Sequence, residues 1–278
     1  MRIFGHAGCV GFGGTSVSRP ATGKLGSMGA GTIRIGDLEV NRLGYGAMRI
    51  TGEGVWGPPR DHNESIRVLR RAVELGVTVI DTADSYGPNV SEELIAEALH
   101  PYPDGLVIAT KGGKVRPGPG RWVDDGRPEH LREACEGSLR RLRLERIDLY
   151  QLHAPDRKVP LEKSVDALKR LQDEEKIRHI GLSNVTIEEL ERAEKIAPIA
   201  SVQNRYHAED RSSEEVVKAC EQRGSPFIPW FPLGAGRATS PADALADLLR
   251  RSPVMLPIPG TSSVAHLEEN MRAADLVD

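Results

Sequence analysis

From Thr32 onward the chain repeats one unit: a short run rich in β-branched residues, a polar loop, then a stretch with helical spacing. Eight such runs can be read: LGYGAMRI (43–50), VTVID (77–81), GLVIATK (105–111), IDLYQLH (147–153), IRHIGLSN (177–184), ASVQNRY (200–206), SPFIPWF (225–231) and VMLPIPG (254–260). Strands that alternate with helices at intervals of roughly 25 to 40 residues need crossover connections, and crossovers make neighbouring strands parallel. Eight such units in a chain of 278 residues fit one α/β domain, a (β/α)8 TIM barrel. A doubly wound open sheet is the competing arrangement. It needs a Gly-rich turn after the first strand and an acid about 20 residues on, whereas Gly44 and Gly46 lie within the first run itself. TIRI and LEV, flanking Gly36-Asp37, predict a β-hairpin ahead of the barrel.

Helix punctuation agrees with this division. Asp61 with Glu64, Thr186 with Glu189 and Ser212 with Glu215 are spaced as capping boxes, and Gly76 and Gly224 stand where helices should stop. In HLREACEGSLRRLRL, Leu131, Cys135, Leu139 and Leu142 form one apolar stripe. Residues 1–30, rich in Gly and Ser and without periodicity, read as a disordered extension in which Met28 is a candidate natural start, leaving 31–278 as the domain.

Net charge is −3, and Lys and Arg are interspersed with Asp and Glu, so there is no basic face for a nucleic acid. No run reaches the roughly 18 to 20 apolar residues of a membrane helix. Cys9, Cys135 and Cys220 are too far apart, and too few, for a disulfide framework or a zinc site. A cytoplasmic protein without metal is expected.

In a barrel the chemistry sits where strands end. Asp81 closes the second run, Lys111 the third and His153 the fourth, each sharing its strand face with apolar residues two and four positions earlier or with Gln151. Tyr86 follows on the loop after Asp81. Each has an ordinary reading as a cap, a solvated edge or a structural histidine; together, on successive strand ends, they form a set.

These motifs, IDTADSYG, IATKGG, DLYQLHAPD, IGLSN, SVQNRY, PWFPLGAG and LPIPGTSSVAHLEEN, resemble in order and spacing those of the aldo-keto reductases, from about Thr32 to Asp278. The resemblance implies a barrel that reduces aldehydes or ketones with NADPH, with Asp81, Tyr86, Lys111 and His153 as its catalytic tetrad. Tyr86 would donate the proton. An ammonium about 4 Å from a phenolate interacts by up to about 4 kcal/mol at an effective dielectric of 20, enough to lower the phenol's pKa by about 2 units. Lys111 is expected to do this, with Asp81 keeping it charged and a neutral His153 orienting the carbonyl.

For the cofactor, the resemblance implies Gly46 and Met48 near the first strand end, Ser183, Asn184 and Gln203 at the nicotinamide carboxamide, and Trp230 stacked on its ring. Pro232, Leu233 and Gly234 fall near the pyrophosphate. Gly260, Thr261, Ser262 and His266 lead into a helix N-terminus suited to anions, and Glu269 and Asn270 lie on the adenine side. No Arg or Lys stands in GTSSVAHLEEN to meet a 2′-phosphate, so NADH is the alternative cofactor. The short connection after Gly236 and the short C-terminal tail predict an open cofactor site. Trp56 and Trp122, on the first and third βα loops, are expected to wall an apolar or aromatic carbonyl pocket. Two other functions compete: a cofactor-binding sensor with little turnover, which gives Tyr86 and Lys111 no joint task, and a lyase or isomerase using Lys111 as a Schiff base, which wants a desolvated lysine without Asp81 beside it.

Overall fold

The computed structural model describes residues 28–234 and 240–277. The strands are β1 (Thr32–Ile35), β2 (Leu38–Asn41), β3 (Tyr45–Gly46), β4 (Val79–Asp81), β5 (Val107–Gly112), β6 (Lys114–Gly118), β7 (Arg121–Asp124), β8 (Ile147–Leu152), β9 (Ile177–Ser183) and β10 (Ile199–Gln203). The α-helices are α1 (His62–Glu74), α2 (Val90–Leu99), α3 (Pro128–Leu142), α4 (Leu161–Asp173), α5 (Ile187–Glu194), α6 (Glu214–Arg223), α7 (Pro241–Arg251) and α8 (Val264–Met271). Six strands form one parallel sheet in the order β10-β9-β8-β5-β4-β3, and β1-β2 and β6-β7 are separate antiparallel pairs.

Alternation along the strands sorts the core. Val79, Val107, Ala109 and Leu149 share one buried cluster with Ile228, Leu256 and Ile258, and with Ile35 and Val40 of the β1-β2 hairpin. Neighbours of opposite facing, such as Ile80 and Ile108 or Tyr150 and Leu152, instead join the clusters formed with the helices. The hairpin turns at Gly36, whose φ of +60° favours glycine and where a Cβ would sit 2.2 Å from the His179 ring. Asp37 beside it accepts from Arg178 and His179 of β9, and these bonds hold its carboxyl down at about 2.

Several expected boundaries shift. The run 43–50 pairs only at Tyr45 and Gly46, because its partner β4 ends at Asp81; Ala47–Ile50 then coils into a 3-10 helix. The last two runs, expected as strands, are extended segments joined by isolated bridges, Val202 to Phe227, Arg205 to Trp230 and Phe227 to Met255. Pro226, Pro229, Pro257 and Pro259 remove ladder donors from them. Gly44 and Gly46 nonetheless donate to Pro257 O and Pro259 O, at 3.0 and 3.2 Å.

The capping box at Thr186 and Glu189 forms in full, and Asp61 caps α1. At α6 the cap is Ser213 rather than Ser212, whose hydroxyl donates to Asp210. The proposed extension 1–30 lies outside the described residues except at 28–30, where Ala30 is buried in the core and thus belongs with the domain. Among the described residues no helix is long and apolar enough to cross a membrane.

Candidate active site

Strand register brings the ionisable groups together. Gly46 of β3 pairs with Asp81 of β4, Asp81 with Ala109 of β5, and Lys111 two residues on with Gln151 of β8. Lys111 is wholly buried, and its ammonium donates to three acceptors: Asp81 Oδ1 at 2.6 Å, Thr82 O at 2.8 Å and Tyr86 Oη at 3.4 Å. With all three ammonium protons directed, Tyr86 accepts, and its own O–H is left to donate elsewhere. The other Asp81 oxygen accepts from Gln151 Nε2 at 3.0 Å and Gln203 Nε2 at 2.8 Å. Burial works most strongly against the charged Lys111, but Asp81 and Tyr86 together outweigh it and the lysine's pKa rises.

The Tyr86 loop is fixed by short-range bonds: Tyr86 N–H donates to Ala83 O, Asn89 N–H to Asp84 O and Ser91 N–H to Tyr86 O. His153, just past β8, stands edge-on to Tyr86 with centroids 5.8 Å apart. Its Nδ1 is 3.4 Å from Ser85 Oγ. Burial, then the charges of Lys111 and Lys114, push its pKa well below the ordinary imidazole value, so it is neutral.

One electrostatic expectation reverses. The phenol of Tyr86 lies above its ordinary value: burial raises it, Lys111 pulls it down by less, and Asp81 opposes Lys111. A lone ammonium at this distance has the strength the sequence argument assigned to it. A lysine with an aspartate at 2.6 Å is nearly neutral as a pair, and burial then decides the sign.

The tetrad opens on a cleft of about 1070 Å³. Tyr86, His153 and Asp81 line it, while Lys111 lies beneath. Of the other expected residues, Gly46, Met48, Ser183, Asn184, Gln203, Trp230, Pro232 and Leu233 line it, as do Gly260, Thr261, Ser262, His266, Glu269, Asn270 and Trp122. Gly234 is buried behind the wall, where a Cβ would meet His207 at 3.4 Å. Trp56 is not part of the lining; it packs over Arg116 and bridges to Gly87. Gly236 and the connection that follows it lie outside the described residues.

The walls suit a flat, polar-edged ligand with a long tail. Trp230 donates Nε1–H to Asn184 Oδ1 at 2.9 Å, and Asn184 Nδ2 donates to Ser183 Oγ and His153 O, both at 3.0 Å. Asn184 adopts φ +60°, a strained value for a residue with a side chain, held by these bonds. Gln203 directs its amide nitrogen to Asp81, which leaves its carbonyl oxygen for the cleft. At the other end Gly46 and Gly260 approach so closely that a Cβ on either would stand 2.7 Å from Ile258 O or 2.8 Å from Gly46 O. The bare backbone there makes a smooth groove. The N-terminus of α8 is partly taken, because Val264 N–H donates to Glu64 Oε1 at 2.9 Å. Arg49, missed in the sequence reading, is exposed at the groove edge and lines it beside Gly260.

Asp84, on the loop between Asp81 and Tyr86, has a buried Oδ1 with no partner among the described residues, and burial together with Glu92 raises its pKa to about 8. The unfolded chain ionises this group near pH 4, whereas the folded protein keeps the proton to about pH 8. The native state therefore binds more protons across that interval, and stability falls as pH rises through it. The variant Asp84→Asn should gain stability over wild type progressively between these two pH values and by a constant amount above them, as read by denaturant unfolding; a pH-independent difference would reject the assignment.

Comparison with known proteins places this arrangement. The model of the aldo/keto reductase family matches residues 42–244. An uncharacterised oxidoreductase of Schizosaccharomyces pombe is 48% identical over 263 residues, covering 89% of this chain and 86% of the relative. The pyridoxine 4-dehydrogenase of Escherichia coli is 43% identical over 270 residues, covering 90% and 94%. Among solved structures, a glycerol dehydrogenase from Gluconobacter oxydans superposes with a TM-score of 0.79 at 27% identity, covering 88% of this chain and 90% of its own. An aldo/keto reductase from Klebsiella pneumoniae, in complex with NADP and acetate, superposes with a TM-score of 0.75 at 28% identity, covering 89% and 90%.

Proposed function

This chain belongs to the aldo/keto reductase family, and from that we propose that it reduces aldehydes or ketones to alcohols with NADPH as cofactor and Tyr86 as proton donor. The observation that carries the reading is the set of three bonds from the Lys111 ammonium, which leaves the Tyr86 proton as the free donor at the floor of the cleft. The bridges through 225–230 and 255–260, and the bonds from Gly44 and Gly46 to the last segment, support reading the sheet as a full (β/α)8 barrel opened by the β1-β2 hairpin.

The residues of the cleft fit the cofactor. The indole of Trp230, fixed by Asn184, offers a flat face for the nicotinamide. Ser183, Asn184 and the Gln203 oxygen suit a carboxamide, which both donates and accepts. The groove at Gly46 and Gly260 would take the pyrophosphate. Arg49, Ser262 and His266 would meet the 2′-phosphate, with Arg49 providing the cation that GTSSVAHLEEN lacks. When bound, NADPH supplies the hydride.

The chain's own groups then manage the proton. Neutral His153 and the Tyr86 hydroxyl converge on the carbonyl oxygen, and as negative charge grows there the phenol releases its proton. Lys111 steadies the phenolate that remains, at a distance where its charge is felt in a buried site. Because the Tyr86 pKa lies above about 10, the acid stays loaded at neutral pH. Reduction should accordingly keep a level kcat/KM from about pH 6 to 9 and fall only as pH passes through the raised phenol value; a decline centred near neutrality would contradict Tyr86 as the acid.

The test is a panel of aldehydes and ketones with NADPH and NADH in parallel, following cofactor oxidation. A pyridine-ring aldehyde belongs in the panel because of the relative named a pyridoxine 4-dehydrogenase. Turnover favouring NADPH is expected. Cofactor binding without turnover of any carbonyl compound would overturn the proposal.

A further inference from the structure

Arg116, on β6, is buried, and among the described residues no carboxylate pairs with it. Its guanidinium donates to four backbone carbonyls: Nη1 to Val55 O at 2.8 Å and Ser85 O at 3.1 Å, Nη2 to Gly54 O at 3.1 Å, and Nε to Arg121 O at 3.0 Å. These acceptors lie on three segments: the loop ahead of α1, the Tyr86 loop and the β6-β7 hairpin. The cation also lies 3.7 Å from the ring centroid of Trp122 and 5.5 Å from that of Trp56. A planar group with donors in its plane and two free faces can tie carbonyls and rings at once; an ammonium cannot.

Trp122 in turn meets the catalytic pair. Its ring lies 6.3 Å from Tyr86 and 6.3 Å from His153, at interplanar angles of 79° and 69°. With Tyr86 and His153 at 83° to each other, the three rings form a corner at the proton donor. The hairpin that carries Trp122 is a two-stranded pair with Trp122 and Val123 both exposed, and its Lys114 to Asp124 ion pair is internal to it. Isolated two-stranded hairpins are marginally stable, so the contacts through Arg116 decide where the indole stands.

We infer that Arg116 is a positioning residue that fixes Trp122 as a rigid wall of the carbonyl pocket, and that this wall selects planar aromatic carbonyl compounds over small aliphatic ones. A flat ring gains edge or face contact with an indole already in position, without the cost of ordering it on binding. A short alkyl chain makes little use of that wall. The selection rests on the carbonyl-reductase reading; the clasp does not.

The two parts are tested separately. The chain's three tryptophans, labelled with fluorotryptophan, give three fluorine resonances, assigned by single Trp→Phe changes. In Arg116→Gln and Arg116→Lys, those of Trp56 and Trp122 should shift or broaden while that of Trp230 stays in place, which also reports an intact fold. Unmoved Trp56 and Trp122 signals would overturn the clasp. In the same variants and in Trp122→Ala, the ratio of kcat/KM for benzaldehyde to that for propanal should fall about tenfold, mainly through KM for the aromatic substrate. The Arg116→Gln, Trp122→Ala double variant should be no worse than Trp122→Ala alone. Lys at 116, keeping the charge, should not restore the ratio. Equal losses for both aldehydes, or additive effects, would overturn the selection. A wild type that reduces neither aldehyde would overturn the reductase reading and the selection with it, while the fluorine spectra still decide the clasp.

Discussion

Tyr86→Phe is expected to lower carbonyl reduction by about 10² to 10⁴ fold, the range a positioned general acid contributes, while NADPH binding stays close to wild type. The hydroxyl accepts one bond, from Lys111 at 3.4 Å, so its removal leaves the ring contacts and the loop bonds of residue 86 in place. Lys111 retains Asp81 and Thr82 O as acceptors. Turnover and cofactor affinity measured on the same preparation separate the two effects. Undiminished turnover would remove Tyr86 from its role, and parallel loss of binding would point to a damaged cleft instead.

The second large effect is on stability. Asp81→Ala strips a buried ammonium of its counter-charge, removes the acceptor of Gln151 Nε2 and leaves Gln203 Nε2 only Gln151 Oε1, at 3.3 Å. Breaking one partner out of a buried pair costs about 3 to 5 kcal/mol, which for a chain of this size is a fall in Tm of about 10 °C. The deficit should depend on pH. In the variant burial, the largest influence on Lys111, acts without the opposing Asp81 and with only Tyr86 against it, so the folded pKa drops below the unfolded value; the unfolded chain then binds more protons, and the deficit shrinks as pH rises between those two values. In wild type the Lys111 pKa is raised, so its contribution persists through neutral pH. Melting curves at several pH values decide the matter, a pH-independent deficit being the contrary result. Reduction should also be lost, since an uncharged Lys111 no longer steadies the phenolate.

Much of this site could be read from strand ends. Side chains alternate along β4, β5 and β8, so a residue two positions past a known core residue must face the same way, and Asp81, Lys111 and Gln151 are legible on that ground alone. What escaped the reading has a common cause, in that it depends on partners far along the chain. The reach of Arg116 to Gly54, Val55 and Ser85 spans 62, 61 and 31 residues, and no local pattern announces it. Trp56 reads as a pocket wall because aromatic residues on βα loops often are; its actual place against Arg116 follows from that same contact. The direction of the Tyr86 shift was missed for a different reason. In the sequence Lys111 stands as a free charge, whereas in the fold the Asp81 that holds it also cancels much of its field. Prolines at 226, 229, 257 and 259 were visible, yet their effect on the last two strands, bridges in place of a ladder, was not anticipated.

Those prolines have a further effect where the first and last segments meet. With Pro257 and Pro259 lacking N–H groups, the stitches between them come from one side, through Gly44, Gly46 and the Tyr45 hydroxyl on Thr261 O at 2.6 Å. A seam sewn from one side parts more readily than a full ladder, and the groove at Gly46 and Gly260 runs directly over it. A ligand lying in that groove would span both segments, so its binding should slow their parting.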